Sequence, residues 1–216
     1  MKLHKQYSEM FNYLRGDNPP LSAESTVVFG RNDARVAHTA GDLVMANLVD
    51  VMVITGGLGK DSGDLEAQGY QSEASYIRDQ LTWDAEALKH GLPRIMLDEK
   101  ATNGGENSRN STNILNSHGY NTDSMTAVAH ATSALRLGEL LKHEAGKINA
   151  KTPIVFIKPT NYPFDPTNPL DQKEARDEML RMADWPAKDF LGPQEDLPED
   201  LAEFAREEKA KEETQQ

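Results

Sequence analysis

The chain has 216 residues, 38% of them hydrophobic and 27% charged, with a formal net charge of -12 and no cysteine. Such a length suits one domain with short appendages. The acidity excludes a sequence-independent nucleic-acid binder, which needs a basic footprint, and the missing cysteines exclude disulfides, thiolate metal sites and cysteine nucleophiles. No apolar run approaches the roughly 18 residues that span a bilayer, so no membrane partner is expected. The start, Met1-Lys2-Leu3-His4, lacks the apolar stretch of a signal peptide, and the expectation is a cytoplasmic protein.

Leu3, Tyr7, Met10, Phe11 and Leu14 recur at helical spacing and stop at Gly16-Asp17-Asn18-Pro19-Pro20, which predicts an N-terminal helix. Ser25 to Gly30 is a β-branched run closed by glycine and predicts a first strand. Val36, Ala37, Ala40, Leu43, Val44 and Leu48 form one helical face, with Asn32 or Asp33 as N-cap. Val49 to Thr55 is the clearest strand, apolar almost throughout as in a strand covered on both faces. After the glycine-rich Gly56 to Gly63, a helical region runs from about Ser72 to Lys89, with Trp83 interrupting it or packing at its end. Ile95-Met96-Leu97 predicts a third strand, followed by a polar loop and a helix ending near His118-Gly119.

Thr126 to Ala129 and Ile154 to Ile157 predict the last two strands, with a leucine-rich helix between them. Pro159 to Pro169 holds four prolines and reads as loop, Ala175 to Met182 as helix, and Trp185 to Pro193 as irregular. From Glu195 to Gln216 there are nine acidic and three basic residues, a pattern expected of a solvated helix or frayed end. Strands alternating with helices predict an α/β fold of three layers, a doubly wound, mostly parallel five-stranded sheet. The expected division is an N-terminal helix and connection (1–20), a Rossmann-like domain (21–194) and an acidic tail (195–216).

Right-handed crossovers gather the strand-to-helix loops on one edge of such a sheet, where ligands bind. Five polar sets would meet there: Asn32 and Asp33; Thr55 to Gly59; Glu99 to Asn107; His130 to Arg136; and Thr160 with Asn161. Helix N-termini at that rim favour phosphate or carboxylate. The glycine loop is neither a Walker A motif, since Asp61 follows Gly59-Lys60, nor a G-x-G-x-x-G fingerprint, since Ser62 stands at the third glycine position. Small residues at Gly56, Gly57 and Gly59 would still let backbone amides approach an anion.

Asn103-Gly104-Gly105-Glu106 has capping-box spacing, with Glu106 expected to reach back to the N-cap amide. Glu99 and Asn107 have no such duty. Glu73 opens a helix, where the dipole favours an acid, and Arg136 is placed to grip an anion with two donors. The six histidines show no metal-ligand spacing, and no metal is expected.

The order Phe29 to Ala37, Ile54 to Gly59, Ser72-Glu73-Ala74, Gly91-Leu92-Pro93 and Asp98 to Asn107 resembles the YdcF-like family, as does Arg181-Met182-Ala183-Asp184-Trp185-Pro186 later in the chain. The likeness spans roughly residues 25 to 195. It implies a Rossmann-like domain with a proposed S-adenosylmethionine-binding activity and no assigned reaction. It also implies ligand-rim positions at Gly56, Gly57, Glu73, Glu99, Thr102, Asn103, Glu106, Asn107 and Arg136. The chain departs from the family pattern at Ala129 to Arg136, which has one Arg and neither Pro nor Met.

Three functions follow as expectations. The first is binding of a small anionic or nucleotide-type ligand, with Glu99 or Glu73 taking ribose hydroxyls. The second is a hydrolase or transferase on a phosphorylated or glycosyl substrate, with Glu99 or Glu106 as general base and Arg136 and the Gly56-Gly57 amides holding the anion. The third is a non-catalytic regulatory or scaffold module using the acidic tail or the N-terminal helix.

Overall fold

The computed structural model describes residues 2–16, 23–59, 62–81, 91–194 and 196–214. Its centre is a five-stranded, all-parallel sheet made of β1 (Ser25–Phe29), β2 (Val51–Thr55), β3 (Arg94–Asp98), β4 (Ser124–Ala129) and β5 (Ile154–Pro159), in the order β3-β2-β1-β4-β5. Each β1 and β2 residue is buried, because helices cover both faces and no solvated side exists for alternation to mark. The fold is the α/β, Rossmann-like sandwich that the sequence predicts.

The period of 2 divides the strand residues between two cores. Val28, Met52, Ile54 and Val128 face α2 (Ala34–Met45) and α3 (Glu73–Gln80). Val27, Phe29, Val51, Val53, Met125 and Ala127 face the larger core, built with α4 (Gly104–Ser117) and α5 (Ala134–Asn149). That core continues outward into α1 (Lys2–Arg15), α6 (Pro169–Asp184) and α7 (Glu199–Thr214). Only residues up to 81 of the helical region expected at 72–89 are described, and Trp83 lies outside them.

Two segments differ from expectation. Helix α6 begins at Pro169 rather than near Ala175, with Asn168 accepting a hydrogen bond from the Leu170 amide at 2.9 Å. A proline at the first helical position starts a helix rather than prolonging a loop, because its missing N–H has no partner there anyway. The acidic C-terminal segment is a docked helix. Leu201, Ala202, Phe204 and Ala205 are buried in the larger core, and Phe204 meets Tyr7 of α1 edge to face at 5.3 Å. Its charges line the outer side of an amphipathic helix.

The strand order fixes where a ligand can enter. From β1 the chain winds one way through β2 and β3, then returns to place β4 on the other side of β1. The loops after β1 and β4 therefore diverge and leave a crevice at the carboxyl edge.

Candidate ligand cleft

On the β2–β3 side of this edge the polar groups satisfy one another. The Gly56 amide donates to Asp98 O at 2.9 Å and the Gly57 amide to Ala101 O at 2.7 Å, carrying the strand ladder past its end. The Gly59 amide donates to Ser62 Oγ at 2.7 Å. These amides are engaged by the protein's own acceptors, so the glycines contribute space instead. A Cβ on Gly57 would stand 2.8 Å from Glu99 O and 3.0 Å from Ala101 O, and Gly56 has φ +138, where only glycine is unstrained.

The carboxylates expected as general bases are placed elsewhere. Glu99 is exposed and accepts a hydrogen bond from Ser72 Oγ at 2.8 Å, at the N-terminus of α3. Glu106 accepts from the Thr102 amide at 2.8 Å and from its hydroxyl at 3.0 Å. It thus reaches one residue beyond the expected N-cap amide, while Asn103 Oδ1 caps α4 by accepting from the Glu106 amide at 3.0 Å. The Thr102 amide and hydroxyl hold the Glu106 carboxyl below its ordinary value, which makes it a weaker base. Neither carboxylate lines the cleft described below. Asn32 is likewise turned away, donating through Nδ2 to Asp64 at 3.0 Å.

Between β1 and β4 lies a cleft of about 240 Å³. Gly57, Gly59, Glu73, Thr102, Asn103, Asn107 and Arg136, all expected at the rim, line it. Glu73 is buried and accepts from Ser62 Oγ at 2.8 Å. Asn107 is buried, its side-chain amide 3.1 Å from the Thr55 hydroxyl, which also meets Asp98 at 2.9 Å. The charged lining among the described residues is Arg31, Arg136 and Arg181 against Glu73 and Glu178. With Glu174 paired to Arg31 at 2.6 Å, three guanidinium groups meet three carboxylates, so in a chain of net charge -12 the wall is locally neutral and rich in arginine donors.

These arginines are fixed by carboxylates of α6. Arg136, 8% exposed, is held by both oxygens of Glu178 and lies over the Trp185 ring at 5.1 Å. Arg181 donates to Glu178 at 2.5 Å and Arg31 to Glu174 at 2.6 Å. Bidentate pairing sets the plane of a guanidinium and leaves its remaining N–H groups in a fixed direction.

Behind Arg31 sits His130, 3% exposed. Its Nε2 is 3.3 Å from Asp33 Oδ2, and its Nδ1 is 2.8 Å from Thr132 Oγ1 and 3.2 Å from Arg31 Nη1. Burial and the adjacent Arg31 charge push its pKa down to about 4, so the ring is neutral at pH 7 and buttresses Arg31 without repelling it.

The four helix N-termini at this edge differ. Asp33 caps α2, Ser72 caps α3 and Asn103 caps α4, each through a side-chain hydrogen bond. At α5 the N-cap residue Ser133 makes none. Its first turn, which carries Arg136, therefore offers N–H groups to an anion at the positive end of the helix dipole.

Sequence reasoning missed Arg31, Glu178, Arg181 and Trp185 as cleft residues. A signal for α6 existed: Glu174, Glu178 and Arg181 are spaced i, i+4 and i+7, one stripe of a helix. No protein-family model matches this chain, and no curated protein matches it.

Proposed function

We propose that the chain binds a small ligand that is anionic or of nucleotide type, S-adenosylmethionine with its carboxylate among the candidates, in the cleft between β1 and β4. The observation that carries this reading is the wall of Arg31, Arg136 and Arg181, each held by a carboxylate with donors to spare, beside the uncapped N-terminus of α5, in a strongly acidic protein. A phosphate or carboxylate would take the free N–H groups of Arg136 and the α5 amides. The resemblance to the YdcF-like family supports the adenosyl choice. A cleft of about 240 Å³ is below the roughly 300–1,000 Å³ usual for small-molecule pockets, so such a ligand would fill it with its anionic end and extend beyond it. Titration calorimetry with S-adenosylmethionine and with AMP tests this. Saturable heat that is lost in Arg31→Ala is expected, and no heat with either ligand at millimolar concentration would end the reading.

Chemistry on a phosphorylated or glycosyl substrate is a second reading, favoured by the burial of Glu73 against the cleft. The general base is then Glu73, not Glu99 or Glu106, because proton transfer needs a carboxylate within hydrogen-bond reach of the substrate. Glu73→Gln should abolish turnover while keeping substrate affinity. Full turnover in that variant would exclude Glu73 as the base.

A further inference from the structure

Beside the cleft is a second chamber of about 310 Å³. Asn103, Gly104 and Trp185 border both spaces, so the chamber adjoins the cleft across the start of α4. Its own walls are different. Leu140, Trp185 and Phe190 supply apolar and aromatic surface, and Arg109 and Glu144 close one side.

Several details suit a flat, heteroatom-bearing ring better than an alkyl chain. Trp185 and Phe190 stand at 77° with centroids 5.8 Å apart, presenting an aromatic corner. Phe190 is 54% exposed, although an aromatic ring of that size is normally covered. Asn103 spends its Oδ1 on the α4 cap and keeps its amide N–H groups. Arg109, bonded to Glu144 through Nε at 3.0 Å and Nη2 at 2.9 Å, keeps its Nη1. Polar donors at the border of an aromatic chamber can read ring nitrogens and carbonyls, for which an alkyl chain has no use. Gly104 lets α4 pack close on α5 between the two spaces: a Cβ there would stand 2.8 Å from Leu140 Cδ2 and 2.9 Å from Leu137 Cδ2.

We infer that this chamber is a base subsite, taking the heteroaromatic ring of a nucleotide whose anionic group sits in the cleft beside Arg136. The inference rests on the cleft reading above and extends it by naming the ligand as a nucleotide rather than a bare phosphate or sugar phosphate. Trp185 has two tasks: it lies against the Arg136 guanidinium and borders the ring's chamber.

The test compares AMP with ribose 5-phosphate by calorimetry on the full chain. Stacking of one base is worth roughly 5- to 150-fold in affinity, so AMP should bind at least about fivefold more tightly. Gly105→Leu should remove that advantage by filling the chamber. Gly105 borders the chamber but not the cleft, and a Cβ there meets only Asn103 Oδ1, at 3.3 Å. Phe190→Ala, at an exposed position, should reduce the advantage independently. Ribose 5-phosphate binding should be unchanged in both. Equal affinity of the wild type for the two ligands, or an AMP advantage that survives both substitutions, overturns the base subsite while leaving the cleft reading intact. Failure of both ligands to bind overturns the two together.

Discussion

The two halves of the sheet's carboxyl edge use similar residues to opposite ends. On the β2–β3 half, Gly56, Gly57, Thr102, Glu99 and Glu106 form a closed set of hydrogen bonds in which the loops bind one another. On the β1–β4 half, carboxylates from α6 hold arginines with part of their donor set still free, and the adjoining helix has no side-chain cap. A cluster of amides and acids is therefore not evidence of a ligand site by itself. What separates the halves is whether donors remain after the protein has satisfied its own acceptors.

The largest effect is expected from Glu178→Ala. It leaves the buried Arg136 without its partner, and removing one member of a buried pair costs about 3–5 kcal/mol, measurable by urea unfolding. A bound anion should restore more stability to this variant than to the wild type. If sulfate stabilises both equally, Arg136 does not face the ligand space. Gly57→Ala probes the other half. Its Cβ would meet backbone carbonyls at 2.8 and 3.0 Å, so a loss of about 1–3 kcal/mol is expected. The loss of ligand affinity per folded molecule should be smaller than Arg31→Ala gives, because Gly57 walls the cleft with an amide already engaged. A matching loss of affinity would move the binding surface to the glycine loop.

His130 sharpens the contrast through pH. Its ordinary value of 6.5 applies to the unfolded chain, while the fold lowers it to about 4. Between these values the unfolded chain holds the extra proton, so stability should rise with pH across that window and level off above it. The slope is at most about 1.4 kcal/mol per pH unit for one proton. Asp33 and Glu174 are resisted by burial but brought below their ordinary values by Arg35 and Arg31 respectively. Their stabilisation is present above those values and is lost only as pH falls through the lowered ones. His130→Gln should flatten the segment between about 4 and 6.5, and an unchanged slope would show that His130 is not its source. Ser72→Ala should have the smallest effect. It removes the α3 cap, for about 1 kcal/mol, and should leave ligand affinity untouched, because Ser72 and Glu99 stand off the cleft.

The sheet was legible because its strands are short apolar runs bounded by turn residues. Val51 to Thr55 is buried throughout, and its sequence has no polar alternation. The docking of the C-terminal helix was not legible. Leu201, Ala202, Phe204 and Ala205 are four apolar residues among many charges, and only contact with α1 and α6 gives them a core to join. At the rim, the residues forming the polar loops could be named, but not the division of labour among them. Glu99 looked free because its partner, Ser72, is 27 residues away in sequence. Arg136 looked free for the same reason, with Glu178 at a separation of 42. Pairings of that range depend on strand order, which periodicity does not encode.

The central claim is that the ligand's anion is held by the β1–β4 half of the edge, while the β2–β3 loops only wall the cleft with groups already engaged. Amide chemical shifts followed during titration with AMP test it most directly. Saturable shifts at Arg31, Gly104, Asn107 and Ser133 to Leu137, with Gly56 and Glu99 still, are the expected result. Shifts centred on Gly56 and Glu99, with the start of α5 unmoved, would contradict it.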